Sequence, residues 1–154
     1  MSMGIRIENN QTKFKINRRK IRSTVSRILK ILGCEEKEIS VFFTDDKNIK
    51  KLNSKYLRKN KPTNVLSFSL REGEYGDVNP QMMGDVVISV DRAYKDAGKG
   101  NLTLEQEIDF LLIHGILHLV GFNHENTSLE KANEMWKKER ELFNKINCRN
   151  RVSI

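Results

Sequence analysis

The chain has 154 residues, 38% of them hydrophobic, and its 28 Lys and Arg outnumber 20 Asp and Glu to give a formal net charge of +8. This length suits one domain, residues 1–154, with a single core. We expect no signal peptide, no membrane span and a cytoplasmic protein, because no basic segment precedes an apolar one and no apolar run approaches about 18 residues. The two cysteines, Cys34 and Cys148, do not suggest a disulfide framework.

The first half of the chain alternates segments typical of strands and of helices. Apolar residues recur at helical spacing after Arg18, and Gly33 is suited to end that helix. Ile39, Val41 and Phe43 then alternate as in a half-buried strand. The predicted elements are strands over 4–9, 39–43 and 65–70, and helices over 18–32 and from Asp45 or Asp46 to about Leu57.

The second half of the chain is predicted to contain one interior strand and three helices. Gly84 to Val90 is a nearly continuous apolar run, which indicates a strand in the interior of a sheet. Thr103 and Gln106 form a capping-box signature, and the helix that they begin is apolar almost all round, as in a buried helix. The other predicted elements are a loop over 72–83, a short helix over 91–97, and an amphipathic helix that opens at Thr127 and Glu130 and packs through Met135, Trp136, Leu142 and Phe143.

All three histidines lie in the buried helix or just after it. His114 and His118 project from the same face, one turn apart. Gly121 can end the helix in a left-handed conformation, so that His124 turns back toward them. Buried imidazoles need partners, and three of them around an open fourth position are typical of catalytic zinc, although nickel, cobalt or copper also bind such ligands. The spacing therefore predicts one metal ion, Zn²⁺, held by His114, His118 and His124.

The predicted fold class is α+β. We expect a single domain in which a small mixed sheet of about four strands packs with about five helices. The architecture would be zincin-like, because a buried central helix carries two metal ligands.

The histidine spacing also matches the metzincin peptidases, H-E-x-x-H-x-x-G-x-x-H, at every position but one. Gly115 stands where those enzymes have a glutamate as general base, and glycine cannot take a proton. Met135, the nearest methionine downstream, lies in a predicted helix and not in a turn below the metal. A metal-dependent peptidase or amidase is therefore a weaker alternative.

The excess positive charge is confined to the first half of the chain. Residues 1–77 hold 18 Lys and Arg against 9 Asp and Glu, whereas residues 78–154 hold 10 against 11. Most such runs are solvated helix faces, but an unbalanced run beside a metal-bearing domain is also a candidate path for a polyanion. Its densest part contains no acidic residue and consists of Lys47, Lys50, Lys51, Lys55, Arg58, Lys59 and Lys61.

Three segments together resemble the YbeY family of bacterial endoribonucleases, the rRNA maturation factors, and the resemblance covers nearly the whole chain. The family signature H-G-x-L-H-L-x-G-[YF]-x-H is met from His114 to His124. The family segment R-x-x-x-P-T-D-V-L-S-F-P corresponds to Arg58 to Ser69, and its G-D-[IV]-x-I-S strand to Gly84 to Ser89. Where the family usually has aspartate, proline and aspartate, this chain has Asn64, Ser69 and Asn123.

The resemblance implies a Zn²⁺ site made by the three histidines, with His114 and Arg58 taking part in catalysis. It also implies single-strand-specific cleavage of RNA in 16S rRNA 3′-end processing and in ribosome quality control. The implied partners are single-stranded rRNA and ribosomal particles, with no membrane, and we assume a monomer. Lys51, Lys55, Lys59 and Lys61 would bind RNA together with Arg58.

Several roles around the metal stay open at this point. Arg58 would pair with a phosphate and stabilise the charge that builds up on it. Glu107, two turns before His114 on the helix, is either a surface carboxylate, the more common case, or an acceptor of a hydrogen bond from a ligand imidazole, and Asn123 is a second candidate for such a bond. The sequence identifies no general base, so both water and the 2′-hydroxyl of the RNA are possible nucleophiles. A non-catalytic ribosome-assembly factor with a structural metal is the alternative from a different functional class.

Overall fold

The computed structural model describes residues 4–69, 81–122 and 128–147. In this part of the chain four strands and five helices pack into one small α+β domain, as predicted. In chain order the elements are β1 (Ile5–Asn9), α1 (Arg18–Ile31), β2 (Glu38–Thr44), α2 (Asp46–Leu57), β3 (Val65–Ser69), β4 (Met82–Ser89), α3 (Val90–Lys99), α4 (Leu104–Leu119) and α5 (Leu129–Asn147). Most of the predicted loop over 72–83 lies outside the described residues.

The four strands form a mixed sheet in the order β1-β2-β4-β3. β2 pairs in parallel with both β1 and β4, whereas β3 runs antiparallel to β4 at one edge of the sheet. The interior position predicted for the apolar run of β4 is confirmed. Val86 and Ile88 pack in the main core while Val87 packs on the opposite face, as the alternation of side chains along a strand requires.

Helices pack on both faces of the sheet. The main core lies between one face and helices α1, α4 and α5, and α4 is buried along most of its length. On the other face α2 packs through Ile49 against Leu66 and Val87. No helix of the described residues is both long and apolar enough to cross a membrane.

Side-chain caps fix the starts of the two C-terminal helices. The predicted capping box of α4 is confirmed: the backbone N–H of Thr103 donates to Gln106 Oε1 at 3.0 Å, and that of Gln106 donates to Thr103 Oγ1 at 3.1 Å. At α5, Ser128 Oγ accepts from the backbone N–H of Lys131 at 3.2 Å. The predicted cap, Thr127, lies outside the described residues.

One packing prediction in α5 is wrong. Trp136, expected to cover the core, is 50% exposed. The buried positions of α5 follow the alternating spacing of three and four residues that one helix face requires, and Trp136 falls off that face. These buried positions are Ala132, Met135, Glu139, Leu142 and Ile146.

Candidate active site

The last two turns of α4 present two histidines to a cleft beside the edge strand β3. The ring centroids of His114 and His118 are 4.7 Å apart, with the rings inclined at 71°. Both side chains line the cleft, whose volume is about 540 Å³. The opposite walls come from the end of α2, the segment leading into β3, and β3 itself. The structure thus brings together two of the three predicted metal ligands.

Gly115 lies where α4 approaches the sheet most closely. A Cβ at this position would stand 2.7 Å from Val86 Cγ1 and 3.2 Å from Ser67 Oγ. Ser67 Oγ also donates a hydrogen bond to the Gly115 carbonyl oxygen at 3.0 Å. A side chain at position 115 would therefore clash with the sheet, so the glutamate of a metzincin does not fit there.

A buried carboxylate fixes the orientation of His114. The Glu139 side chain is 6% exposed, and its Oε1 lies 3.0 Å from His114 Nδ1. An ionised carboxylate can only accept, so with Glu139 ionised and the imidazole neutral, Nδ1 carries the proton and Nε2 is the basic nitrogen of the ring. Histidines that bind metals are commonly held in this way, with a carboxylate behind the ring.

Glu139 therefore makes the kind of hydrogen bond to His114 for which Glu107 was a candidate, and the surface position that we favoured for Glu107 is wrong. Glu107 is buried, and burial together with the charge of Asp96 raises its pKa to about 7. Asp96 Oδ2 also accepts from Asn64 Nδ2 at 3.3 Å, and Asn64 lines the cleft. An ionised carboxylate at position 64 could not donate this bond.

The predicted cations near the cleft are not equivalent. Lys59 and Lys61 line the cleft, and the apolar Leu57 lines it too. Arg58 is exposed and ends α2 in the left-handed conformation, with φ of 57°, and it is not among the described residues that line the cleft. Asn53 holds this segment in place, because its Nδ2 donates to the Lys61 carbonyl oxygen at 2.9 Å. The role that the resemblance implies for Arg58 stays a prediction.

Two further predicted RNA-binding lysines lie away from the histidines. Lys51 lines a depression on the opposite face of the sheet, and the Lys55 ammonium group lies 5.2 Å from the centroid of the Tyr56 ring. The basic run therefore borders two separate surfaces.

The donors in the cleft suit a Zn²⁺ ion. Two neighbouring imidazoles, one with its basic nitrogen set by a buried carboxylate, are the ligands that zinc prefers. Within residues 4–69, 81–122 and 128–147, no group of three or more His, Cys, Asp or Glu side chains is arranged to hold a metal. His124, the third predicted ligand, and Asn123 lie outside these ranges, so the set of three stays a prediction.

The sequence did contain a signal for Glu139. It occupies the apolar face of α5 between Met135 and Leu142, and an isolated acid in such a stripe needs a buried partner. Ser67 and Asn53, by contrast, act through bonds to backbone atoms of distant residues. Their roles leave no pattern in the sequence.

Comparison with known proteins agrees with this geometry. The family model for endoribonuclease YbeY matches residues 6–147. Endoribonuclease YbeY of Syntrophus aciditrophicus is 54% identical over 93% of this chain and 89% of that protein, and its counterpart in Geobacter metallireducens is 43% identical over 92% and 94%. The solution structure of a Thermotoga maritima protein matches with a TM-score of 0.67 and 26% identity, over 97% of this chain and 93% of that one. The resemblance found in the sequence is confirmed: the chain belongs to the endoribonuclease YbeY family.

Proposed function

We propose that this chain is a zinc-dependent endoribonuclease that cuts single-stranded RNA in the cleft between α4 and β3. The observation that carries the proposal is the pair His114 and His118, side by side in a cleft that Lys59 and Lys61 also line. Membership of an endoribonuclease family supports RNA phosphodiester bonds as the target. In the cell we place the activity in the cytoplasm, on ribosomal particles, in 16S rRNA 3′-end maturation and ribosome quality control.

His114, His118 and His124 would hold the metal. When bound, a Zn²⁺ ion supplies Lewis acidity, which lowers the pKa of a water toward about 7 or polarises a phosphoryl oxygen. Glu139 keeps His114 in one tautomer and fixes its ring, so the site is organised before substrate arrives. Water and the 2′-hydroxyl of the substrate both remain possible nucleophiles.

The chain's own cations position the substrate. Lys59 and Lys61 line the cleft, and their ammonium groups would bind phosphates and stabilise negative charge that develops at the scissile one. Arg58, between two lining residues, is proposed to contact a neighbouring phosphate. Asn53 anchors the backbone of this segment at Lys61.

The decisive experiment pairs metal analysis with RNA cleavage for proteins prepared identically. The parent is expected to carry zinc and cut single-stranded but not double-stranded RNA. His114→Ala and His118→Ala should lose both zinc and cleavage, whereas Lys59→Ala and Arg58→Ala should keep zinc and cleave more slowly. Undiminished cleavage by metal-free protein, or by the double histidine variant, would refute zinc catalysis. Full zinc occupancy without any cleavage would indicate an assembly factor with a structural metal.

A further inference from the structure

Two depressions adjoin the edge strand β3. The first is the cleft with the histidines. The second, with a volume of about 810 Å³, lies on the face against which α2 packs. Tyr56 and Leu57 are consecutive residues of α2, yet Tyr56 lines the second depression and Leu57 the cleft. The two depressions are therefore neighbours along the last turn of α2.

The walls of the second depression are aromatic. Tyr56 is 55% exposed, and its ring meets that of Phe68 edge to face, with the centroids 5.4 Å apart. Phe42 and Phe68 pack against the small apolar cluster that contains Val87. An exposed ring held by a second ring on a rigid sheet is suited to stacking with a nucleobase.

Charge favours one orientation of a nucleic-acid strand in this depression. Lys51 and Lys55 are exposed on α2, and the Lys55 ammonium group lies over the Tyr56 ring, 5.2 Å from its centroid. Asp85 lies in the interior strand β4, paired with Phe68, and lines the same depression. The carboxylate repels phosphate but accepts hydrogen bonds from base amino groups. The phosphates are thus drawn to the exposed lysines while the bases point inward.

We propose that this depression is a second RNA-binding surface, the outer platform, formed by Phe42, Lys51, Tyr56, Phe68 and Asp85. It would bind the bases of single-stranded RNA that flank the segment held in the cleft, with one base stacked on Tyr56. The inference rests on the proposed function, because it takes the substrate to be RNA. It adds a site for the flanking strand on the other face of the sheet.

The test measures stacking directly. Single-stranded RNA labelled with 2-aminopurine is titrated with protein in chelator, where no cleavage occurs. The parent should quench the fluorescence, whereas Tyr56→Ala should lose the quenching and bind between about 5-fold and about 100-fold more weakly. Tyr56→Phe, which keeps the ring, and Tyr94→Ala, which removes an exposed tyrosine from α3, should behave like the parent. Because Tyr56 is exposed, thermal unfolding should be alike for all four proteins.

Other outcomes overturn the platform. Equal affinity and quenching for the parent and Tyr56→Ala would refute it, while cleavage of a short RNA that fills only the cleft would still support the proposed function. A parent that neither binds nor cleaves RNA would refute both. If Tyr56→Ala binds free RNA normally but no longer sediments with ribosomal particles, the surface docks a protein and not RNA.

Discussion

At the scale of single residues, a carboxylate on α5 controls a histidine on α4. Glu139 is buried against His114 Nδ1, so its removal frees the imidazole to rotate and to change tautomer. We expect Glu139→Ala to lower Zn²⁺ affinity by about 10- to 100-fold, with Glu139→Gln in between because its amide oxygen can still accept the bond. Competition with a chromophoric chelator measures this affinity. Glu134→Ala, at an exposed position of the same helix, is the matched control. Parent-like zinc affinity in Glu139→Ala would show that Glu139 does not support the site.

Two glycines in helices should respond oppositely to alanine. At Gly115 the new Cβ meets the side chain of Val86, which is fully buried and cannot move aside. At Gly98 in α3 a Cβ meets nothing within 4 Å. Gly115→Ala should therefore destabilise the fold by about 1–3 kcal/mol through overpacking, whereas Gly98→Ala should stabilise it by about 0.5–1 kcal/mol through helix propensity. Urea denaturation gives both free energies of unfolding. Equal effects would contradict the close approach of α4 to the sheet.

At the scale of elements, α4 carries two buried carboxyls in a largely apolar helix. Burial, and then the charge of Asp96, raises the pKa of Glu107 from 4.5 to about 7. Burial also raises the pKa of Asp109 from 3.8 to about 6, against the lowering effect of Lys20. Between the unfolded and folded pKa values the folded chain binds more protons than the unfolded chain. Folding stability from these groups is therefore present in acid and is lost as the pH rises toward 7.

Glu107→Gln isolates one of these contributions. The amide cannot ionise, so the variant should lack the part of the slope that Glu107 causes between pH 4.5 and about 7. Relative to the variant, the parent should lose up to about 3 kcal/mol across this window. Free energies of unfolding of metal-free protein, measured at a series of pH values, supply the comparison. Glu130→Gln, at an exposed site on α5, should give a curve of unfolding free energy against pH that is parallel to that of the parent. A parallel curve for Glu107→Gln would contradict the raised pKa.

The same elements show what a sequence can and cannot predict. The capping box at Thr103 and the apolar run of β4 are local signals, and both are confirmed because short-range hydrogen bonds and periodicity determine them. The contact of His114 with Glu139 joins residues 25 positions apart, and it depends on how α5 packs over α4. The spacing of residues along α4 made Glu107 a candidate partner of His114, because helical periodicity identifies neighbours only within the same helix.

The sequence also does not predict which surface the residues at the end of a helix border. Motif matching selected Arg58, which ends α2 with a left-handed backbone, and its role stays a prediction, whereas Leu57, Lys59 and Lys61 line the cleft. The charge run predicted a basic surface without showing that the sheet edge divides it. Lys51 lies on α2, whereas Lys59 and Lys61 follow the end of that helix, and only the packing of α2 against the sheet shows which surface each of them borders.

At the scale of the whole molecule, the uneven charge makes salt the most direct probe of the RNA path. The basic half supplies the lysines of both the cleft and the outer platform, so RNA binding should weaken steeply as salt rises. The slope of log K against log salt is negative, and on single-stranded RNA each lost phosphate contact makes it shallower by about 0.7. The double variant Lys59→Gln, Lys61→Gln should therefore show a slope shallower by about 1.4.

The control variant has the same net charge, but its two substitutions lie away from the cleft. Lys131→Gln with Lys137→Gln removes the same two charges from exposed positions of α5. If the lysines of the cleft contact phosphates, only the variant at Lys59 and Lys61 has a shallower slope. If RNA is attracted to the basic protein in general, both double variants have slopes that are equally shallow. Tyr56→Ala should weaken binding with its slope unchanged, because stacking releases no counterions. Fluorescence anisotropy over a range of salt concentrations separates these cases, and equal slopes for both lysine pairs would contradict a defined phosphate path through the cleft.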